Sequence, residues 1–421
     1  MSRRYWMETL GCPKNQVDSD KLAGTLQADG LVAAATPEDA ELIVVNTCAF
    51  VESARQESVD TVLAAAGARR PGARLVVTGC MAERYGEELA RALPEVDLVA
   101  GFGVPVSLSP KPGPATSTKA AVPALDLLNL ARPRPAAPWA YVKIAEGCDR
   151  ACGFCAIPSF RGRQRSRSPE SILHEVEGLG VSEVVLVAQD LASYGRDVAG
   201  LGAGAIVPLV RAVAARVPRT RLLYLYPSDL GDDLVDAIGA TGVPYFDLSL
   251  QHASRPLLRR MRRWGDGERF LGRIEQIRRR WPGSAFRSNF IVGYPGESEA
   301  DHDVLLRFVD QAQLDWCGFF AYSREEGTLA ADLPDQVQPA LVTERLRELT
   351  ELQDAITARR RQDLVGDKVE VLVDSPGVGR SHREAPEIDG VVRVPRRLAV
   401  GGVATVVVTG AEGPDLEAEA V

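Results

Sequence analysis

The chain's 421 residues suffice for about three domains, and 45% hydrophobic with 25% charged residues is ordinary globular composition, which excludes a fibrous or wholly disordered chain. Lys and Arg number 49 against 57 Asp and Glu, so a net charge of −8 argues against a surface devoted to nucleic acid and confines any basic site to a local patch. No apolar run of membrane-spanning length occurs, and Met1-Ser2-Arg3-Arg4-Tyr5-Trp6 leads into a strand-like segment instead of an export signal. These features predict a soluble, cytoplasmic protein with neither membrane nor DNA as partner. The seven cysteines, at 12, 48, 80, 148, 152, 155 and 317, form no even disulfide framework and point to metal or redox chemistry.

Residues 1–103 repeat one pattern three times: an apolar strand-like run that ends at a cysteine and is followed by a helical stretch. The copies are residues 5–12, 42–48 and 75–80, ending at Cys12, Cys48 and Cys80. Val/Ile-rich runs of this kind suit an open parallel sheet covered by helices, whose sites gather beyond the carboxyl ends of the strands. Three cysteines at three such ends are therefore expected to converge. Residues 104–138 are rich in proline and read as a linker, with a short turn of structure at 125–130.

From 139 to 365, strand-like runs at 140–144, 184–188, 221–226, 245–250, 285–292 and 316–322 alternate with helical segments, which predicts a partial or complete parallel (β/α) barrel. A charged helical stretch at 341–364 leads to residues 366–421. There, short runs at 368–374, 390–394 and 403–408 separated by glycines predict a small all-β barrel.

The strongest chemical signal is Cys148-Asp149-Arg150-Ala151-Cys152-Gly153-Phe154-Cys155, directly after the first strand of the second unit. Three thiolates can hold three corners of a cubane cluster and leave one iron open to a ligand. A zinc knuckle completed by His174 is the alternative, although the paired half-motifs of zinc sites are missing. Cys12, Cys48 and Cys80 supply a second incomplete thiolate set. Each is followed by polar or turn residues, and buried packing is the competing reading. Cys317 has no partner spacing and is assigned to packing.

This cysteine spacing, with Phe154 before the last cysteine, resembles the radical S-adenosylmethionine (SAM) superfamily. The resemblance implies reductive cleavage of SAM at a [4Fe-4S] cluster on Cys148, Cys152 and Cys155, yielding a 5′-deoxyadenosyl radical. It also implies an electron donor such as flavodoxin or ferredoxin, and a SAM pocket lined by Phe154, Gln189, Gln251 and Gly293. Phe290-Ile291-Val292-Gly293-Tyr294-Pro295-Gly296-Glu297 resembles the superfamily's later glycine-containing strand motif, or is a plain strand and turn. After the second strand, Val187-Ala188-Gln189-Asp190 stands where the superfamily usually has two glycines and a glutamate.

Two incomplete clusters followed by a terminal β-barrel make the whole chain similar to the methylthiotransferases. Those enzymes use two [4Fe-4S] clusters and SAM as both methyl donor and radical source, and they carry a TRAM-like substrate-binding barrel. Leu10-Gly11-Cys12-Pro13-Lys14-Asn15, Ala188-Gln189-Asp190-Leu191-Ala192-Ser193-Tyr194-Gly195, Leu250-Gln251-His252 and Glu384-Ala385-Pro386-Glu387-Ile388-Asp389-Gly390 resemble the branch that modifies the β-carbon of an aspartate of ribosomal protein S12. A branch that modifies tRNA adenosine is the alternative. Residues 366–421 carry ten acidic against six basic side chains, which favours a basic protein partner over tRNA phosphates, or is simply a solvated surface. Opposing this, Arg255, Arg259, Arg260, Arg262, Arg263 and Trp264, with Arg161, Arg163, Arg165 and Arg167 upstream, read as an RNA contact, a solvated face, or groups that hold the clusters or the SAM carboxylate. A non-enzymatic iron-sulfur protein that binds RNA or carries electrons is a further alternative, and the open ligand sets count against it.

Overall fold

The computed structural model describes residues 3–108 and 126–421. Pro110, Pro112, Pro114 and Pro123 of the expected linker lie outside the described residues. Within the described part of that stretch, Leu127–Asn129 form the short helical turn expected there, capped by the Asp126 side chain.

The N-terminal unit is a five-stranded parallel sheet in the spatial order Val32–Ala33, Arg4–Thr9, Leu42–Thr47, Arg74–Gly79, Leu98–Ala100. All six residues of Leu42–Thr47 are buried, as a central strand covered on both faces requires. The strand ends are level: Thr9 pairs with Asn46, Asn46 with Thr78, and Thr47 with Gly79. Cys12, Cys48 and Cys80 therefore leave the sheet at one edge. Pro13 opens helix Pro13–Ala28 at a first-turn position, where its missing N–H costs nothing.

The central unit has six parallel strands in chain order: Trp139–Lys143, Glu183–Val187, Arg219–Leu222, Tyr245–Gln251, Ala285–Val292 and Trp316–Ala321. They form two three-stranded sheets joined by one bridge between Leu225 and Leu248. The strand expected at 221–226 is thus cut short. The cause is Tyr224, at φ +65°, whose N–H donates to the Asp247 carboxylate at 3.0 Å and whose ring lies 3.4 Å from the Lys14 ammonium. A side chain anchored to another unit takes precedence over one more ladder bond. Alternation along the strands separates two cores: Val184 and Leu186 pack under the helices, whereas Val185 and Val187 face inward. The inner cluster also takes Val17 from the first unit and Ala385 from the last, so all three units share one apolar core.

Helix Pro339–Gln362 leads to a closed five-stranded barrel in the order Lys368–Ser375, Val378–Arg380, Val392–Arg393, Asp415–Ala420, Val403–Glu412. Val378–Arg380 and Asp415–Ala420 lack the apolar runs that mark strands. The latter, with the sequence DLEAEA, is held by pairing, and only Leu416 and Ala418 turn inward. Among the described residues, no helix is long and apolar enough to cross a membrane.

The expectation that Glu384 and Asp389 contribute to an acidic docking surface is overturned. Glu384 is fully buried, accepts from Ser381, and is ion-paired to Arg361. Asp389 accepts from the Tyr245 hydroxyl at 2.6 Å and pairs with Arg287 at 3.4 Å. The loop that carries them is tied to the central barrel, because Ala385 supplies apolar contact there and each carboxylate meets an arginine of another segment. Of that motif's three acidic residues only Glu387 is exposed.

Candidate active site

Gly11 has φ +96°, and a Cβ there would lie 2.9 Å from both Cβ and Sγ of Cys48, so only glycine lets the Cys12 and Cys48 loops approach this closely. Asn15 ties the same loops together, donating to the carbonyls of Leu10 at 2.9 Å and Thr47 at 3.1 Å. Cys80 begins helix Cys80–Ala92, with its Sγ 3.5 Å from Asn15 Oδ1.

Burial opposes ionisation of Cys12, but Lys14, Arg161 and the N–H groups of Asn15 and Lys14 outweigh it and lower its pKa. Burial, reinforced by Cys80 and Cys12, pushes the Cys48 thiol up to about 12. Burial likewise raises Cys80 while Arg161 opposes the shift. Cys12 and Cys80 both act on Cys48, and Cys12 on Cys80, so the three sulfurs are near neighbours, the donor set a thiophilic multi-iron group would use.

Cys148, Cys152 and Cys155 lie on the loop between Ala145–Glu146 and helix Ile157–Arg161. The N–H of Gly153 donates to the Met261 carbonyl at 2.9 Å, and that of Ala330 to the Gly153 carbonyl at 2.8 Å, so the loop is pinned on both sides. Burial raises Cys148 to about 11, and burial with the neighbouring Cys152 and Cys148 raises Cys155 to about 12. Arg263 reaches Cys152 Sγ at 3.5 Å. Its guanidinium and that of Arg150 each lie 3.8 Å from the Tyr226 ring centroid. Arg150 also donates to Asp190 at 2.6 Å and Ser193 at 3.2 Å. A cavity of about 530 Å³ beside the loop is lined by Asp149, Arg150, Gln164, Asp190 and Ser193.

The two triads are joined by buried charge. Arg161 places Nη1 2.9 Å from both Glu146 carboxylate oxygens and 3.2 Å from Asp18, and Lys143 pairs with Glu146 at 2.7 Å and with Asp18. Gln189 donates to Glu146 at 2.7 Å, leaving its own buried Oε1 without a partner. Asp18, Lys143 and Glu146 were invisible to pattern reading. The available signal was the polar stripe Lys14, Asn15, Asp18, Lys21 on helix Pro13–Ala28, every member of which is buried.

Phe154 packs against the central core. Gln251, at φ +70°, ends strand Tyr245–Gln251. Gly293, at φ +81°, donates its N–H to Glu297 at 2.6 Å, and a Cβ there would meet Val342 at 2.4 Å. His252 is buried, its pKa lowered to about 3 by burial, so it is neutral. Cys317 packs against the same core as Phe154. His174, the fourth ligand of the zinc alternative, is exposed on helix Pro169–Leu179. The arginines divide: Arg255, Arg259, Arg260 and Arg262 are exposed, as is Trp264, whereas Arg165 pairs with Asp126 at 2.9 Å, Arg167 with Glu175 at 2.6 Å, and Arg161 and Arg263 face cysteines.

Family models match three segments: Uncharacterized protein family UPF0004 over residues 4–101, the Radical SAM superfamily over 142–309, and the TRAM domain over 365–421. Among solved structures, the chain is similar to the cobalamin-dependent S-adenosylmethionine radical enzyme OxsB, with a TM-score of 0.46, 10% identity, and coverage of 84% of this chain and 56% of that one. It is also similar to coproporphyrinogen III oxidase (HemN) from Escherichia coli, with a TM-score of 0.40, 16% identity, and coverage of 55% and 54%. The ribosomal protein uS12 methylthiotransferase RimO of Kineococcus radiotolerans is 41% identical over 99% of this chain and 97% of its own length. That of Anaeromyxobacter sp. is 42% identical over 99% and 93%. With identity at this level along nearly its whole length, and with both cysteine triads inside the matched segments, the chain belongs to the RimO family of ribosomal protein uS12 methylthiotransferases and is a radical SAM methylthiotransferase.

Proposed function

We propose that the chain transfers a methylthio group to the β-carbon of an aspartate of ribosomal protein S12 in the cytoplasm. Cys12, Cys48 and Cys80 hold one [4Fe-4S] cluster, and Cys148, Cys152 and Cys155 a second that takes its electron from a donor such as flavodoxin or ferredoxin. The observation that carries this reading is the pair of cysteine triads, each gathered in a loop cluster and linked through Arg161 and Glu146. When bound, the clusters and SAM supply the radical and the methylthio group, chemistry no side chain of the protein offers.

The chain's own residues bind and orient. Gln189 presents a buried, unpaired carbonyl oxygen, an acceptor suited to the ammonium of SAM, while its NH₂ is held by Glu146. Phe154, Gln251 and Gly293 complete the proposed pocket. Arg263, with Tyr226 and Arg150 stacked beside it, holds a positive charge next to Cys152.

The relatives' S12 specificity supports the protein substrate. So does the surface of the terminal barrel, where Asp367, Glu370, Glu387, Glu412, Glu417 and Glu419 are exposed against Lys368, Arg393, Arg396 and Arg397. This excess is smaller than composition implied. Mass spectrometry of S12 and bulk tRNA from cells with and without the protein tests the reading: loss of the aspartate modification with tRNA unchanged is expected. Loss of a tRNA methylthio group with S12 unchanged overturns it.

A further inference from the structure

We propose that Arg161 is a positioning residue which, from the central unit, sets the reduction potential of the cluster held by the N-terminal unit. The inference rests on the assignment of Cys12, Cys48 and Cys80 as one cluster's ligands.

Arg161 ends helix Ile157–Arg161, just after Cys155, yet its guanidinium reaches into the other triad. Nε and Nη2 lie 3.3 and 3.1 Å from Cys80 Sγ, and Nη2 donates to Asn15 Oδ1 at 2.6 Å. Nη1 is occupied by Glu146 and Asp18, and Cζ lies 4.6 Å from the Phe102 ring centroid. The side chain is 3% exposed, so its charge acts on the sulfur with little screening by solvent.

The surrounding charges leave this cation available to the thiolates. Asp18 and Glu146 share Lys143 as well as Arg161, so two carboxylates meet two cations before any cysteine ionises. A thiolate at Cys80 is then the added negative charge, and it faces the guanidinium directly. Hydrogen bonds to cluster sulfurs and nearby net charge are the levers by which a protein tunes such a potential. A lysine would keep the charge but could not bridge Cys80, Asn15 and Glu146 at once, because it lacks the planar fork. Glu146 lies two residues before Cys148, so the same guanidinium also fixes the N-terminal triad against the loop of the second cluster.

The test uses full-length protein carrying Cys148→Ala, Cys152→Ala and Cys155→Ala, reconstituted anaerobically, so that only the N-terminal cluster is read. Iron analysis should give about four irons per chain, the content of one cubane. The potential is then followed by electron paramagnetic resonance during dithionite titration. Arg161→Met should shift it to more negative values, because reduction adds charge to a cluster that has lost its cation, and Arg161→Lys should fall between. An Arg161→Met protein with full iron content and an unchanged potential overturns the proposal while leaving the cluster assignment standing. Absence of iron from the parent triple variant instead overturns the assignment, and the proposal with it. If Arg161→Met alone holds no iron, Arg161→Lys decides: a negative shift supports the proposal, and an unshifted potential overturns it.

Discussion

The hydroxyl of Tyr245 donates to the carboxylate of Asp389 at 2.6 Å, and this bond joins the central barrel to the terminal one. Around it, Tyr141 donates to the Pro386 carbonyl at 3.0 Å, Trp316 to the Arg383 carbonyl at 2.6 Å, and Arg221 to the His382 carbonyl at 3.0 Å. The loop of residues 382–389 is therefore fastened to the central strands at four points.

Truncation after residue 365 should accordingly destabilise the central barrel as well as remove the proposed docking surface. It strips Arg380 from Glu183 and Asp389 from Arg287, and exposes the inner apolar cluster around Ala385. Breaking buried pairs one partner at a time costs about 3–5 kcal/mol each. Calorimetry should show a lowered melting temperature, with near-ultraviolet circular dichroism reporting loosened aromatic packing. A truncated protein that melts like the full chain would refute the shared core.

Glu183 gives the pH dependence a definite sign. It is fully buried and opposes Arg221 at 2.8 Å, Arg219 at 3.2 Å and Arg380 at 3.3 Å. Burial pushes its pKa upward, but the three guanidinium groups outweigh that and bring it down to about 2 from 4.5. A carboxyl depressed in the folded state stabilises fully above its unfolded pKa and loses that stability as pH falls toward the folded value. Stability should therefore decline between roughly pH 4.5 and 2 by about 3 kcal/mol from this group. Glu183→Gln should be less stable at pH 7 and show a shallower decline, read from urea unfolding across that range. An equal decline in both proteins would remove Glu183 from the account.

The three-unit architecture and the loops that carry the six cysteines were legible because each rests on local pattern. Residues 42–45 and 184–187 are apolar at every position, and a parallel sheet delivers the loops after such strands to one edge. The links between the units were not legible. Asp18 and Lys143 meet 125 positions apart, and Arg161 and Cys80 meet across 81. No periodicity encodes such pairs. The acidic tail misled for a related reason, since composition counts Glu384 and Asp389 as surface when their arginine partners lie in distant segments.

Gly11→Ala should damage one of the two proposed clusters selectively. The new Cβ would press on Cys48 at 2.9 Å from a backbone at φ +96°, strain on the order of 1–3 kcal/mol placed directly beside a proposed ligand. Iron content should drop from about eight toward about four per chain, the difference of one cubane. 5′-Deoxyadenosine should still form from SAM, while methylthio transfer stops. Iron that stays at the parent level would show that Cys48 is not held as proposed.

Docking of S12 should depend on the acids that the structure leaves exposed. Glu412, Glu417 and Glu419 lie on the hairpin of Val403–Glu412 and Asp415–Ala420, and all three face solvent. Long-range attraction between such a surface and a basic protein speeds encounter more than it changes the contact itself. Glu412→Lys, Glu417→Lys and Glu419→Lys together should slow association with S12 about tenfold at low salt. The difference should shrink as the Debye length falls through about 10 Å at 0.1 M. Glu384→Gln makes the contrast: it leaves Arg361 without its buried carboxylate and should lower stability with little change in the salt dependence of binding. Stopped-flow association at two ionic strengths separates the cases. Equal rates for the triple variant and the parent at low salt would mean that S12 is recognised elsewhere on the molecule.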